Sequence, residues 1–270
     1  MKKKLILQKI RESLKKDSAR LLFLTISGSD LYGFSSKDSD IDLRGVFAYK
    51  TSELLGFENL EDVKKFQFGN YDIVLYELKK AIGLVLAGNC TFVENLHSLP
   101  IYLSRDFKSL REVLLKTVNR QGLALSYRGM GIHNYKKYLS SVSKTAPVKK
   151  FLYVFRGLLC ARNILENSEI EPNINRLLER YNYPEIKLLV ELKQKGKENG
   201  ELRNTNTIRR LEELYQELLE MVNIKIKKTS FNPVSKELRE EIKKELIAFR
   251  TKDLMKKRKG YKSLTRNKEV

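Results

Sequence analysis

Apolar positions in the first hundred residues follow two different periods. Residues 2–16 carry apolar side chains at helical spacing, which predicts an amphipathic helix, at Leu5, Ile6, Ile10 and Leu14. An apolar run at 20–27, an alternating run at 39–49 and a β-branched and aromatic run at 70–78 each predict a β-strand. The last run leads directly into a predicted helix over 77–88, so this part of the chain mixes strands with helices.

From about residue 105 onward the pattern predicts helices alone. Six segments have apolar side chains at the spacing of a helix face, at 106–118, 122–142, 147–165, 172–182, 184–196 and 203–222. The predicted fold class is therefore α+β. A small mixed β-sheet domain with flanking helices is expected over 1–104, a helical domain over 105–224, and a basic helix and tail over 225–270.

Basic residues outnumber acidic ones. The chain has 53 Lys and Arg against 33 Asp and Glu, a net charge of +20, and residues 225–270 supply half of it, with sixteen basic and six acidic side chains. This surplus favours a polyanionic partner. Nucleic acid is preferred to a membrane surface because no apolar run approaches the ~20 residues that a membrane span needs. We therefore expect a cytoplasmic protein without a membrane partner.

Cysteine and histidine usage argues against zinc and against a disulfide framework. Cys90 and Cys160 lie 70 positions apart and the chain has no CxxC motif. The two histidines, His97 and His133, have no partner at metal or triad spacing, so we expect structural or surface roles for them. The motifs of P-loop enzymes, α/β-hydrolases and zinc proteases are also absent from the sequence.

One stretch, GSDLYGFSSKDSDIDLRGVF at 28–47, combines glycines with closely spaced carboxylates. A predicted strand ends immediately before Gly28, which allows a tight turn and a close backbone approach. Ser29 would then begin a short helix whose free amides and hydroxyl can hold phosphate oxygens. This segment therefore predicts a phosphate-binding turn.

Carboxylates follow this turn at a spacing that suits a metal site. Asp40 and Asp42 are two positions apart on a predicted strand, so their side chains emerge on the same face. Two such carboxylates, with substrate phosphates, suit Mg²⁺. A third ligand is expected from the next strand, where Asp72 is better placed than Glu77, which points to the opposite face. Asp38 precedes the alternating run and is assigned to the turn.

Three basic residues are further candidates for nucleotide binding. Arg44 shares the face of Asp42, where it could neutralise the carboxylates or contact a phosphate, and a purely structural ion pair is equally compatible with the sequence. Lys149 and Arg156 are seven positions apart on one predicted helix, nearly on one face. That face could bind triphosphate or an RNA backbone, and a solvated basic helix is an equal alternative.

The quoted motif resembles the DNA polymerase beta superfamily of nucleotidyltransferases, and more narrowly the RNA repair pathway DNA polymerase beta (RlaP-type) family. The segments YDIVLYELKKAIGLVLAGN at 71–89, YRGMGIHNYKKY at 127–138 and KKFLYVFRGLL at 149–159 are also similar to that family. The resemblance implies transfer of a nucleoside monophosphate from a nucleoside triphosphate to a hydroxyl group. It implies that Gly28 and Ser29 hold triphosphate and that Asp40, Asp42 and Asp72 hold two Mg²⁺ ions, with Mn²⁺ as the alternative.

The charge of the chain bears on the acceptor. We expect transfer to an RNA or tRNA 3′ end, because the basic surplus suits a nucleic acid backbone bound without sequence preference. Nucleotidylation of a protein or a small molecule is an alternative from the same chemistry. A catalytically silent RNA-binding protein is an alternative from another class, against which the intact aspartates argue. The sequence does not predict the oligomeric state.

Overall fold

The computed structural model describes residues 2–140, 145–196, 200–230 and 233–266, with the backbone alone for Lys2 and for 256–266. Its helices are α1 Lys2–Lys16, α2 Gly28–Tyr32, α3 Thr51–Leu54, α4 Leu78–Leu86, α5 Cys90–His97, α6 Arg105–Lys116, α7 Arg120–Tyr138, α8 Val148–Asn167, α9 Ile174–Arg180, α10 Pro184–Lys195, α11 Thr205–Lys227 and α12 Lys236–Arg266. Its strands are β1 Ala19–Ile26, β2 Ile41–Tyr49, β3 Val63–Phe68, β4 Tyr71–Glu77, β5 Pro100–Leu103, β6 Ala146–Pro147 and β7 Glu201–Leu202.

Five strands form a mixed sheet in the order β3-β4-β2-β1-β5. The two central strands β2 and β4 run parallel, and the remaining neighbours are antiparallel. A second, two-stranded sheet pairs β6 with β7. The predicted α+β class with a small mixed sheet is confirmed.

The period of two along the central strands separates the two faces of the sheet. On β2, Leu43 and Phe47 pack with α1 on one face, whereas Val46 and Ala48 pack on the opposite face under the later helices. Asp42 and Arg44 share the parity of Val46, so they lie on the second face, at the end of the strand that helices do not bury. The charged side chains thus occupy one end of an otherwise apolar surface.

Two edge strands, β3 and β5, are absent from the strands that the sequence predicts. The β3 sequence VKKFQF has lysines where a buried strand would have apolar residues, as is common on exposed edges. The β5 sequence PIYL has four residues and begins with proline, which cannot donate to a strand ladder. Both strands owe their conformation to pairing with a neighbouring strand, β4 or β1, whose sequence predicts a strand more strongly.

Helices α7 and α8 form the centre of the helical part, and their backbones approach closely at two glycines. A Cβ atom added to Gly157 would lie 2.8 Å from the carbonyl oxygen of Tyr127 and 3.1 Å from the amide nitrogen of Gly131. Both are backbone atoms, which cannot rotate away. The chain therefore needs a residue without a side chain where these helices cross.

Gly157→Ala is expected to destabilise the protein by about 1–3 kcal/mol, as overpacking of a tight core does. Gly129→Ala, on α7, is the matched control because a Cβ there meets no atom within 4 Å. Alanine is the better helix former by up to ~1 kcal/mol, so this control should stabilise the protein. Urea unfolding of both variants measures the effect, and destabilisation of equal size by both would contradict the close-approach argument.

Helices that follow the predicted domain boundaries at 104/105 and 224/225 contribute side chains to the core beneath the sheet. Helix α6 contributes Phe107 and Leu110 to the core beneath the sheet. Helix α12 returns to the same core through Ile242 and Phe249. The basic C-terminal segment is thus joined to the sheet domain as far as its side chains are described, and residues 267–270 of the predicted tail lie outside the described part. None of the helices described is long and apolar enough to cross a membrane.

Candidate active site

The Gly-Ser turn lies directly against a carboxylate of the sheet. Gly28 has φ +60°, in the left-handed region, and a Cβ added there would overlap the carboxylate of Asp42. The amide of Ser27 donates to the carbonyl oxygen of Asp42 at 2.9 Å, which ties the turn to β2. Ser29 follows in the first turn of α2 and is buried. Only glycine at position 28 permits this approach.

Asp42 and Asp72 lie directly opposite each other on the parallel strands β2 and β4. The guanidinium of Arg44 bridges them, because its Nη2 atom donates to Asp42 Oδ1 at 2.8 Å and to Asp72 Oδ2 at 3.0 Å. Its Nη1 atom donates to the carbonyl oxygens of Leu43 and Asp72, which holds the guanidinium in place. Arg44 therefore compensates one of the two negative charges of the carboxylate pair in this structure.

The two carboxylates influence each other electrostatically. Partial burial raises the pKa of Asp42 above its ordinary value, and the charge of Asp72 adds to this rise, whereas the guanidinium of Arg44 opposes it. The side chains of Asp42 and Asp72 remain 26% and 40% exposed. The pair is thus accessible from solvent and carries an excess of negative charge that a second cation would relieve.

The other acidic candidates differ from this pair in their exposure and in their partners. Asp40 precedes β2 by one residue and is exposed. Asp38 accepts a hydrogen bond from the hydroxyl of Ser36 at 2.7 Å within the turn. Glu77 lies at the far end of β4, where it accepts from Arg250 of α12 at 2.6 Å and is nearly buried.

The donor set of the pair suits a hard divalent cation. Asp42 and Asp72 offer carboxylate oxygens side by side, and Mg²⁺ is commonly bound in proteins through one or two carboxylates together with substrate phosphates and water. Within the described ranges, no group of three or more His, Cys, Asp and Glu side chains is arranged to hold a metal ion. The two residues therefore fit a metal site with two carboxylate ligands. Asp40, two positions before Asp42, is a third acidic residue close to the pair along the chain.

Helix α8 presents one face to the end of α2. Tyr153 packs edge-on against Tyr32 at 6.0 Å and against Phe34 at 5.7 Å between ring centroids. Lys149 lies one turn before Tyr153 on the same face and is half-buried. Tyr153 thus joins α8 to the end of α2 and to the segment that follows it.

Arg156, one turn further along α8, lies in the interior. It is fully buried and its Nη1 atom donates to Glu94 Oε2 at 2.8 Å. The prediction that this side chain contacts a phosphate or RNA does not fit a guanidinium enclosed by the core. The helical spacing placed Lys149 and Arg156 on one face, but only Lys149 lies at the end where that face meets solvent.

Several residues of the helical part hold the loop that leads to the aspartates. The carbonyl oxygen of Gly33 accepts from Asn175 at 2.7 Å and from Gln194 at 3.0 Å. The buried Lys193 donates to Ser36 at 2.8 Å. Single polar residues on helices carry no sequence pattern that points to a loop some 150 positions away, so sequence reasoning did not identify them.

Comparison with known proteins gives the following similarities. A family model described as RlaP, the RNA repair pathway DNA polymerase beta family, matches residues 1–248. The uncharacterized protein YcgL of Bacillus subtilis is 28% identical over 208 residues, which cover 74% of this chain and 78% of that protein. The uncharacterized protein MJ0002 of Methanocaldococcus jannaschii is 27% identical over 190 residues, which cover 64% of this chain and 72% of that protein.

Among solved structures, a nucleotidyltransferase-like protein from Exiguobacterium sibiricum is similar over 84% of this chain and 78% of that chain. The sequence identity is 12% and the TM-score is 0.34.

Proposed function

Because the chain belongs to the RNA repair pathway DNA polymerase beta family, whose chemistry is nucleotidyl transfer, we propose that it transfers a nucleoside monophosphate from a nucleoside triphosphate to an RNA or tRNA 3′ hydroxyl. The single observation that carries the proposal is the carboxylate pair Asp42 and Asp72, lying beside the turn of Gly28. In the reaction the acceptor oxygen bonds to the α-phosphorus and the bond to the β-phosphate oxygen breaks. Pyrophosphate leaves, and the hydroxyl proton passes to a carboxylate or to water.

Each residue of the site has a role in this proposal. Asp42 and Asp72, with Asp40, would hold Mg²⁺ or Mn²⁺, which supplies positive charge to the reacting phosphates when bound. Gly28 and Ser29 would receive the triphosphate at the turn. Arg44, which donates to both carboxylates here, would be available to contact a phosphate through two parallel hydrogen bonds if the carboxylates were compensated by a bound cation.

The distribution of charge supports RNA as the acceptor. Lys149 lies in the first turn of α8 and is half-buried, and Lys150 beside it packs over the ring of Tyr138 at 3.9 Å from the centroid. The net charge of +20 suits a backbone of phosphates. We therefore expect the affinity for RNA to fall steeply as the salt concentration rises, as expected where phosphate contacts dominate binding.

The proposal is tested by incubating the protein with each of the four α-³²P-labelled nucleoside triphosphates, Mg²⁺ and a total cell extract. The labelled product is then divided and digested with nuclease or with protease. Label that is released by nuclease alone supports an RNA acceptor. Label that is released by protease alone, or that remains in small molecules, would contradict the acceptor while retaining the chemistry.

A binding measurement separates the enzyme from a silent RNA-binding protein. Calorimetry with Mg²⁺ and each triphosphate in turn is expected to give measurable affinity for at least one of them. Affinity for RNA without affinity for any triphosphate would contradict nucleotidyl transfer.

A further inference from the structure

Four helices meet at a buried polar cluster beneath the Gly-Ser turn, which we call the Glu94 cluster: Glu94 of α5, Tyr127 of α7, Arg156 of α8 and Tyr32 of α2. Glu94 Oε2 accepts from Tyr127 Oη at 2.6 Å and from Arg156 Nη1 at 2.8 Å. Glu94, Tyr127 and Arg156 are fully buried, and Tyr32 is 4% exposed. The cluster is therefore closed to solvent and to substrate.

The guanidinium of Arg156 connects the ion pair to the turn. Its central carbon lies 3.6 Å from the centroid of the Tyr32 ring, which places it against the face of the ring. Tyr32 is the last residue of α2, three positions after Ser29. Arg156 thus contacts the C-terminal end of α2 and fixes the orientation of the helix there. At the N-terminal end of α2, Gly28 contacts Asp42.

Electrostatics strengthen this arrangement. Burial by itself would lower the pKa of Arg156, but the neighbouring carboxylate of Glu94 raises it well above the ordinary value. Burial and the charge of Glu94 also raise the pKa of Tyr32, which keeps the phenol neutral. A charged guanidinium therefore faces a neutral ring in a medium that screens their attraction only weakly.

The ion pair is an inefficient way to stabilise a core. Glu94 Oε1 and Arg156 Nε have no hydrogen-bond partner among the described residues. Apolar residues of similar volume often stabilise a core equally well or better than a buried ion pair. What apolar residues cannot supply is a planar cation held at a fixed angle against Tyr32.

We propose that Glu94 and Arg156 are positioning residues: they fix Tyr32, and through it the turn of Gly28 and Ser29, so that triphosphate affinity depends on an ion pair that the substrate does not touch. This inference rests on the proposed function for its binding readout. Its structural readout, the order of residues 27–34, is independent of that function.

The test uses the full-length double variant Glu94→Gln/Arg156→Met, which removes both charges and leaves none buried alone. Hydrogen exchange of the amides in 27–34 is expected to become faster, while exchange in α7 and α8 stays unchanged. The Kd for the triphosphate with Mg²⁺ is expected to rise roughly tenfold to a hundredfold, as is typical when a supporting side chain behind a binding site is removed. Of the four triphosphates, the one that binds the wild type most tightly is used.

Glu77→Gln/Arg250→Met is the matched control. This ion pair is also largely buried, with an N–O distance of 2.6 Å, but it lies at the far end of β4 from Asp72. It should leave both the exchange of 27–34 and the Kd at wild-type values. A rise in both that equals the rise in the Glu94 cluster variant would overturn the inference, because the effect would then be general to the fold.

The inference would also be overturned by a folded Glu94→Gln/Arg156→Met variant whose amide exchange rates in 27–34 and whose Kd for the triphosphate both stay within twofold of the wild-type values. If that variant does not fold, Arg156→Lys makes the same test, because lysine keeps the charge but lacks the planar group that faces Tyr32. The expected and overturning results are unchanged. If no triphosphate binds the wild type, the proposed function fails, and the exchange of 27–34 still decides whether the cluster orders the turn.

Discussion

Replacement of Asp42 by alanine is expected to reduce nucleotidyl transfer at least about a thousandfold, equivalent to about 4 kcal/mol of transition-state stabilisation. The same result is expected for Asp72→Ala and for Asp40→Ala. The physical reason is that in the proposed function the carboxylates would supply the oxygen ligands for Mg²⁺, and a methyl group cannot bind a cation. Transfer of label from an α-³²P triphosphate to RNA, measured under single-turnover conditions, gives the rate.

Folding provides the internal check on these variants. Burial and the charge of Asp72 raise the pKa of Asp42. The Asp42→Ala substitution therefore relieves the repulsion between the two carboxylates and should not lower the melting temperature of the protein. Arg44 keeps Asp72 as a partner in the Asp42→Ala variant. Asp38→Ala is the matched control, because Asp38 is an exposed turn residue bonded to Ser36. A folded Asp42 variant that is as active as the Asp38 variant would exclude this site from the chemistry.

Gly28→Ala is expected to lower the rate of transfer at least about a hundredfold, the scale of loss when a positioning group moves by about 1 Å. Two effects combine in this variant. A left-handed backbone costs a residue with a Cβ about 1–2 kcal/mol, and the new methyl group would overlap the carboxylate of Asp42. The turn and the carboxylate must therefore separate, which would move the amides that we propose to bind phosphate away from the carboxylates that we propose to bind the metal ion. Steady-state kinetics with separate KM and kcat values measures the loss.

Gly88→Ala is the control for backbone strain. Gly88 has φ +66°, close to the +60° of Gly28, but a Cβ there meets its nearest atoms at 3.7 Å, an ordinary contact distance. We expect Gly88→Ala to lose stability through strain alone and to keep its activity. Comparable loss of activity in both variants would mean that the contact with Asp42 is not the cause.

The ion pairs of Arg44 with both carboxylates bear on cation binding at this site. Arg44 donates to both Asp42 and Asp72 from a single nitrogen, so its guanidinium lies between the two carboxylates. A metal ion that binds there competes with the guanidinium. In the proposed function Mg²⁺ would bind together with triphosphate, whose phosphates would accept hydrogen bonds from Arg44.

Local pattern accounts for much of the fold. Most helices and the strand β2 have apolar side chains at the period of their element, because burial on one face imposes a period of 3.6 or 2. The strand β1 has a continuous apolar run instead, because its central residues are buried at successive positions. The motif from Gly28 to Phe47 was sufficient to indicate the family, and the family match over 1–248 confirms that resemblance. Edge strands β3 and β5 have no such signal, because their conformation depends on a paired neighbour.

The sequence by itself determined which functional groups this chain carries and how they are spaced, because a glycine turn, alternating aspartates and a basic surplus are properties of residue type and position. Only the tertiary structure decided which partners those residues have. The register of β2 and β4 places Asp72 opposite Asp42, and helix packing encloses Arg156 with Glu94. Helical spacing defines a face but not how deeply that face is buried, since burial depends on helices contributed by distant parts of the chain.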